Sequence, residues 1–305
     1  MTLEHYFQEL APESSTIKHT HLLQLSGLTG AELEQFRHWW PSLLPERRQA
    51  ILERMVSMTE DSVEVDFNAI FRHCLSDADS TVRKLAVSGL WECDDHTLVG
   101  PMISLLKGDS SEEVRTSAAT ALGKFCSLAE RGKLLQRDGE RIKTALLSLL
   151  ENDKESLETR RRALEAVACF NTTRIRELIR WAYSSAEPKL RTSALYAMGR
   201  TGDLDWLPVL FKELQNNDPM MRYEAASACG EMGDEEAIPG LIPLIQDDDL
   251  EVQLAAIRAV GSIGGVLSMR ILKRCLKSDD EAIQEAAQEA LQNLEVEEDP
   301  LTYKF

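Results

Sequence analysis

Apolar residues in this chain fall at the three- and four-residue intervals of amphipathic helices, and the pattern returns about every thirty-one residues. Ile238, Leu241, Ile242 and Ile245 follow i, i+3, i+4, i+7 spacing, and Leu207, Leu210, Phe211 and Leu214 repeat that face one period earlier. An Ala-rich segment precedes each such face. Aligned on Arg222, one column reads Arg83, Arg115, Arg160, Arg191, Arg222, Gln253 and Gln284, with gaps of 32, 45, 31, 31, 31 and 31 residues. Three residues after each column position stands Ala: Ala86, Ala118, Ala163, Ala194, Ala225, Ala256 and Ala287. Six after it Ala recurs at Ala121, Ala166, Ala197, Ala228, Ala259 and Ala290, and eight after it Gly at Gly123, Gly199, Gly230 and Gly261. Small residues at fixed offsets in unit after unit define a repeat array.

Each unit predicts two helices. The first opens after a turn acid such as Asp79, Asp218, Asp249 or Asp280, whose carboxylate accepts backbone N–H bonds, and it stops near the Gly. A short turn, "GDEE" or "GDLD", leads to the second helix. Two short helices touching along single faces cannot offset the entropy of ordering them, so neighbouring pairs must stack into a solenoid. The Ala columns then let adjacent units approach closely.

The pattern "DPxxRxxAAxAxGxxGDxxAIPxLIxLI" resembles HEAT repeats, and within them the short form named for phycobilisome lyases. The resemblance covers about residues 77–294, with a weaker unit at 45–76. It implies an all-α, right-handed α-solenoid of stacked helical hairpins, first helices on the convex face and second helices on the concave one. It also implies that the turn acids Asp79, Asp218, Asp249 and Asp280 and the column residues Arg83, Arg115, Arg160, Arg191 and Arg222 form a polar ladder between repeats. The expected division is an extension and capping helix at 1–44, about seven repeats and a terminal half repeat at 45–294, and an acidic tail at 295–305.

Three departures stand out. The 45-residue gap holds an insertion, about residues 127–140, which in a solenoid falls on one edge and suits a binding loop. Trp91 stands where Gly is usual, so that unit ends its first helix differently. The last unit has a single helix, as a terminal cap requires. Ahead of the array, "TGAELEQFRHWW" predicts a helix with a capping box from Thr29 to Glu32, ended by Pro41, with Pro45 opening the next. Trp39 and Trp40 are expected to cover the first repeat, and the first fifteen or so residues to be disordered.

Composition narrows the function classes. The 305 residues carry a net charge of −17, which opposes general affinity for nucleic acid. Charge is uneven: residues 231–305 hold seventeen acidic and six basic side chains, and residues 151–200 ten basic and seven acidic. No signal peptide opens the chain and no run of eighteen apolar residues predicts a membrane span. Six scattered cysteines without CxxC spacing read as reduced core residues, and a cytoplasmic location follows by elimination. The six His residues precede residue 97 and make no metal-binding grouping; His19 and His21 are placed in a loop. No His-Glu pair occurs, which sets the chain apart from the HEAT-type di-iron hydroxylases, and no phosphate-binding glycine loop is present.

No cofactor is expected. The predicted function is a non-catalytic scaffold or adaptor whose partner is another protein, with nucleic acid and membrane excluded. The alternatives are a bilin-lyase-like or cofactor-handling protein and a regulatory subunit of an enzyme. The outer face of the second helices is read as Ser104, Leu147, Arg180, Lys212, Pro243 and Arg274. With Arg176 and Trp206 it forms a partly basic, partly aromatic stripe, with Arg176, Arg180, Trp206, Lys212 and Arg274 as candidate contacts for an acidic or extended peptide segment.

Overall fold

The structure is a computed structural model that describes residues 2–12, 16–62 and 64–298, with side chains to residue 294. Every regular element among them is an α- or 3-10 helix. Three short helices come first: α1 (Leu3–Leu10), α2 (His19–Leu23) and α3 (Gly30–Trp39). Hairpins follow. They are α4 (Pro45–Asp61) with α5 (Asn68–Cys74), α6 (Ser80–Gly89) with α7 (Val99–Gly108), and α8 (Glu112–Glu130) with α9 (Gln136–Leu150). Next come α10 (Leu157–Val167) with α11 (Thr173–Tyr183) and α12 (Pro188–Thr201) with α13 (Leu207–Glu213). The last are α14 (Pro219–Met232) with α15 (Ile238–Leu241), α16 (Leu250–Ile263) with α17 (Gly265–Cys275), and the unpaired α18 (Glu281–Glu298). The chain divides into two compact units, residues 1–163 and 164–305.

Within each unit the first helices of successive hairpins stack on one another: α4 on α6 and α6 on α8 in the first unit, α12, α14, α16 and α18 in the second. The seven alanines three residues after the column position are all fully buried. The glycines eight after it do a different job from the one their position predicts. Gly199, Gly230 and Gly261 lie inside their helices, and a Cβ on Gly199 or Gly230 would sit 2.7 Å from the Cα of Ala228 or Ala259. Each glycine therefore receives the second alanine of the next repeat, backbone against backbone. The helix stop comes three residues later, where Gly202 and Gly233 adopt positive φ as left-handed caps.

The polar ladder is also displaced from its expected residues. Asp79, Asp218, Asp249 and Asp280 cap the first helices by accepting N–H bonds from Val82, Met220, Glu251 and Ala282. The interrepeat acid stands two residues earlier. Arg83 Nε and Nη2 each donate to Asp109 at 2.7 Å while Nη1 donates to the carbonyls of Asp77 and Ala78. Arg222 holds Asp247 and the carbonyls of Asn216 and Asn217 in the same way. Arg115 reaches Glu155 at 2.8 Å, and Arg48 extends the series forward to Asp77. Each arginine thus ties its own entry turn to the carboxylate of the next.

Arg160 bonds instead to the Leu150 carbonyl and lies 3.2 Å from Asp153. Gln253 and Gln284 donate to the carbonyls of Asp247 and Ser278. Arg191 is the exception. The residue 25 positions on, where Arg222 finds Asp247, is Asn216, and the Arg191 Nε is buried with no hydrogen-bond partner.

Paired carboxylates titrate low. Hydrogen bonds from Arg222 hold Asp247 below the usual range. Burial works against the charge of Asp109 and Glu155, and the bonds from Arg83 and Arg115 outweigh it. Because the folded-state values lie below the unfolded ones near ~4, the stabilisation is complete above that pH and is lost as pH falls through the folded values. Urea midpoints measured from about pH 7 down to about pH 3 should fall, and the fall should be shallower in Asp247→Asn. An equally steep fall in the variant would remove this carboxylate from the acid response.

Several N-terminal expectations change. Residues 3–10 are helical, with Phe7 and Leu10 buried and the Arg47 Nε donating to the Leu10 carbonyl, so this segment docks instead of fraying. Residues 1 and 13–15 lie outside the described set, as do 299–305 of the acidic tail. His19 and His21 sit in α2, not a loop. Thr29 is the N-cap of α3 but its side chain makes no capping bond; Glu32 N–H reaches the Thr29 carbonyl, so the capping box is absent. Trp40 is buried and its Nε1 donates to Asp77 at 2.8 Å, while Trp39 stacks on Phe7 with centroids 4.4 Å apart.

The insertion forms no loop. It lengthens α8 to 19 residues, against 14 in the first helix α12, and α9 to 15, against 11 in the second helix α11, and leaves only a short turn at 131–135. Phe125 and Cys126 extend the buried face of α8, and Gly132, at φ 70, turns the chain. Helical periodicity of the inserted residues explains the outcome.

Candidate functional site

Second helices present their outer side chains through a simple repeat register. Thr172 caps α11 and Asp203 caps the 3-10 turn that opens α13, so equivalent positions lie 31 residues apart. In that register Trp181, Lys212, Pro243 and Arg274 share a column, all exposed, and Arg180 shares one with Phe211, Ile242 and Lys273. Arg180 is therefore one position out of line with the residues grouped with it above. Ser104 (exposed) and Leu147 (half-buried) belong to the first unit.

Three candidates are engaged within the second unit. Arg176 is half-buried; its Nε donates to Asn171 at 2.9 Å and its Nη1 lies 3.0 Å from Asp203 and 3.9 Å from Asp205. Arg180 is exposed and stacks over the Trp206 ring at 5.2 Å, a cation–π contact. Trp206 itself is only 5% exposed, with its Nε1 buried and unpartnered, so it supports Arg180 from beneath and offers no surface to a partner. This corrects its assignment as a contact residue. A large apolar ring at the start of a second helix packs inward, where Ala237 packs in the next repeat.

Lys212 crowns a network that sequence patterns do not reveal. Glu213 is 3% exposed, and it accepts bonds from the Tyr183 hydroxyl and the Asn216 amide, each at 2.5 Å. Lys212 Nζ lies 3.2 Å from Glu213 and donates to the Tyr183 oxygen at 3.1 Å. Burial disfavours the Glu213 charge, and the three donors overcome it and hold its pKa low. Burial, then the bond to Glu213, pushes Tyr183 up. The same network explains the missing rung at Arg191: an aspartate at 216 would set a second carboxylate against Glu213.

Arg274 is exposed on α17 beside Arg270, Lys273 and Lys277, which are exposed as well. Their i, i+3, i+4, i+7 spacing in "RILKRCLK" is the signal that could have placed all four on one face. Among the described residues no group of His, Cys, Asp and Glu is arranged to hold a metal, and no helix is long and apolar enough to cross a membrane. All six cysteines are free thiols; burial pushes Cys229 up to about 12.

Comparison with known proteins identifies the repeat. A family profile described as HEAT repeats matches residues 68–138 and 207–292, together just over half of the chain. No curated protein sequence matches it. Among solved structures, the complex of CpcE and CpcF of phycocyanin lyase from Nostoc sp. PCC7120 is 17% identical, covers 74% of this chain and 94% of that one, and gives a TM-score of 0.50. A designed armadillo repeat protein is 18% identical over 64% of this chain and 99% of that one, with a TM-score of 0.37. Human deoxyhypusine hydroxylase in complex with glycerol is 14% identical over 96% of both chains, with a TM-score of 0.36. At these identities the likeness is one of fold. From the matched repeats, and from helical hairpins whose alanines and glycines nest in register, the chain belongs to the HEAT-repeat family.

Proposed function

We propose that the chain is a non-catalytic interaction scaffold that holds a partner protein along the second-helix face of residues 164–305. In this reading residues 45–294 are the interaction array, 1–44 its capping extension and 295–305 an acidic end. The carrying observation is the column Trp181, Lys212, Pro243 and Arg274, with Arg180 beside it: three cations and an aromatic ring held outward in a protein of net charge −17. Arg180 is fixed by Trp206 and Lys212 by Tyr183 and Glu213, so their charges are presented without further ordering cost. Arg176, already paired with Asp203, orients this row and contributes less charge. Such a surface favours an acidic or extended segment of the partner.

The test is capture from the native cell with the unaltered chain and with Arg180→Glu, Lys212→Glu and Arg274→Glu combined. Loss of the captured protein, with helical content unchanged by circular dichroism, is the expected result. Undiminished capture would rule out the row. A second reading, a bilin-handling subunit or a regulatory subunit of an enzyme, starts from the fold shared with the phycocyanin lyase complex. Visible absorbance retained by the chain after incubation with a bilin and gel filtration would favour it.

A further inference from the structure

Charge in the last quarter of the chain is strongly segregated. Of the six basic residues in 231–305, four are Arg270, Lys273, Arg274 and Lys277, on α17 and the turn that closes it, against seventeen carboxylates. None of the four makes an ion pair or a side-chain hydrogen bond among the described residues. Next to them Val266 is 73% exposed and Leu267 is exposed too, while Met269 and Leu276 are half-buried.

Register shows what this face is shaped to meet. In α11 the side chains that reach forward to the next hairpin are Arg176, Arg180 and Tyr183, which meet Asp203, Trp206 and Glu213. Three periods on, the same positions are Met269, Lys273 and Leu276. No described helix lies against them as α13 lies against α11. The face keeps the geometry of a helix-to-helix joint, and its chemistry is apolar flanked by cations.

We propose that α17 is a docking site for one amphipathic, acidic helix of a partner protein, a site that rests on the scaffold reading and gives it a second, end-on contact. The helix sets its apolar side on Val266, Met269 and Leu276, and its carboxylates face Arg270, Lys273 and Lys277. A second copy of this chain docked through the same α17 face would bring like charges together. An anionic membrane is a flat sheet, and at the equivalent starts of the preceding second helices it would meet Asp205, Glu235 and Glu236, all exposed. A single helix, about 10–12 Å across with its side chains, meets only the nearest of them, Glu235, which lies beside Gly265 at the start of α17.

The experiment measures fluorescence anisotropy of a labelled peptide of Glu and Leu at helical spacing, titrated with the full chain. Saturable binding is expected, weakening with added salt. Arg270→Glu, Lys273→Glu and Lys277→Glu combined should weaken it about tenfold or more, and Arg54→Glu with Lys107→Glu, exposed positions of the first unit, should leave it unchanged. Absence of binding, indifference to the triple reversal, or tighter binding to phosphatidylserine vesicles than to the peptide would each overturn the site. So would a tenfold gain on deleting residues 295–305, which hold four carboxylates and one lysine, since it would assign the face to the chain's own acidic end. If the peptide fails while native capture still depends on Arg180 and Lys212, the scaffold reading stands and the α17 site falls.

Discussion

Gly230→Ala is expected to destabilise the second unit by about 1–3 kcal/mol, although helix propensity alone would make it stabilising by up to about 1 kcal/mol. The added methyl would lie 2.7 Å from the Cα and 2.9 Å from the Cβ of Ala259. Both atoms are rigid parts of α16, so relief requires one helix to move away from the other, opening the contact along its length. Gly100→Ala supplies the control. Gly100 lies in α7 with nothing within 4 Å of its added Cβ and no left-handed backbone, and there the gain should be about 0.5 kcal/mol. Urea denaturation of the two variants therefore gives opposite signs for one chemical change. A stabilised Gly230 variant would mean that the helices do not approach as closely as described.

Asp247→Ala is expected to cost about 2–3 kcal/mol. Its carboxylate is 8% exposed and takes two bonds from an Arg222 that is 16% exposed, so its removal leaves a largely buried guanidinium facing a void. The effect stays below that of a fully buried pair because Arg222 keeps its bonds to the carbonyls of Asn216 and Asn217. The exposed neighbour makes the comparison: Asp248→Ala should change stability by no more than about 0.5 kcal/mol. If both variants unfold at the same urea concentration, the ladder is ornamental at this rung.

The hairpin array was legible because its causes are local. Alanines at +3 and +6 and apolar residues at i, i+3, i+4, i+7 fix which face each helix buries, and every +3 alanine is buried as that pattern requires. What sequence could not resolve were two-residue differences of role. Asp247 and Asp249 are equally good turn acids on paper, and only the reach of Arg222 separates the rung from the cap. The same holds for Gly230 and Gly233, one a contact surface and the other a left-handed cap. Long-range pairing was invisible too: nothing local marks Glu213 as a buried carboxylate served by Tyr183 thirty residues away. The length of the insertion suggests a loop, but its residues continue the helical period of α8 and α9 and so extend both helices.

The nesting of Gly199 on Ala228, Gly230 on Ala259 and Gly261 on Ala290 gives each hairpin from α12 to α17 a front and a back that differ. A block of thirty-one residues starting at Asp218 could be copied in frame and would carry a matching front and back with it, so the array can grow in whole modules. A change of length inside a first helix would turn its glycine away from the next alanine, whereas the 45-residue unit takes up its extra length beyond Gly123, in the end of α8 and the start of α9.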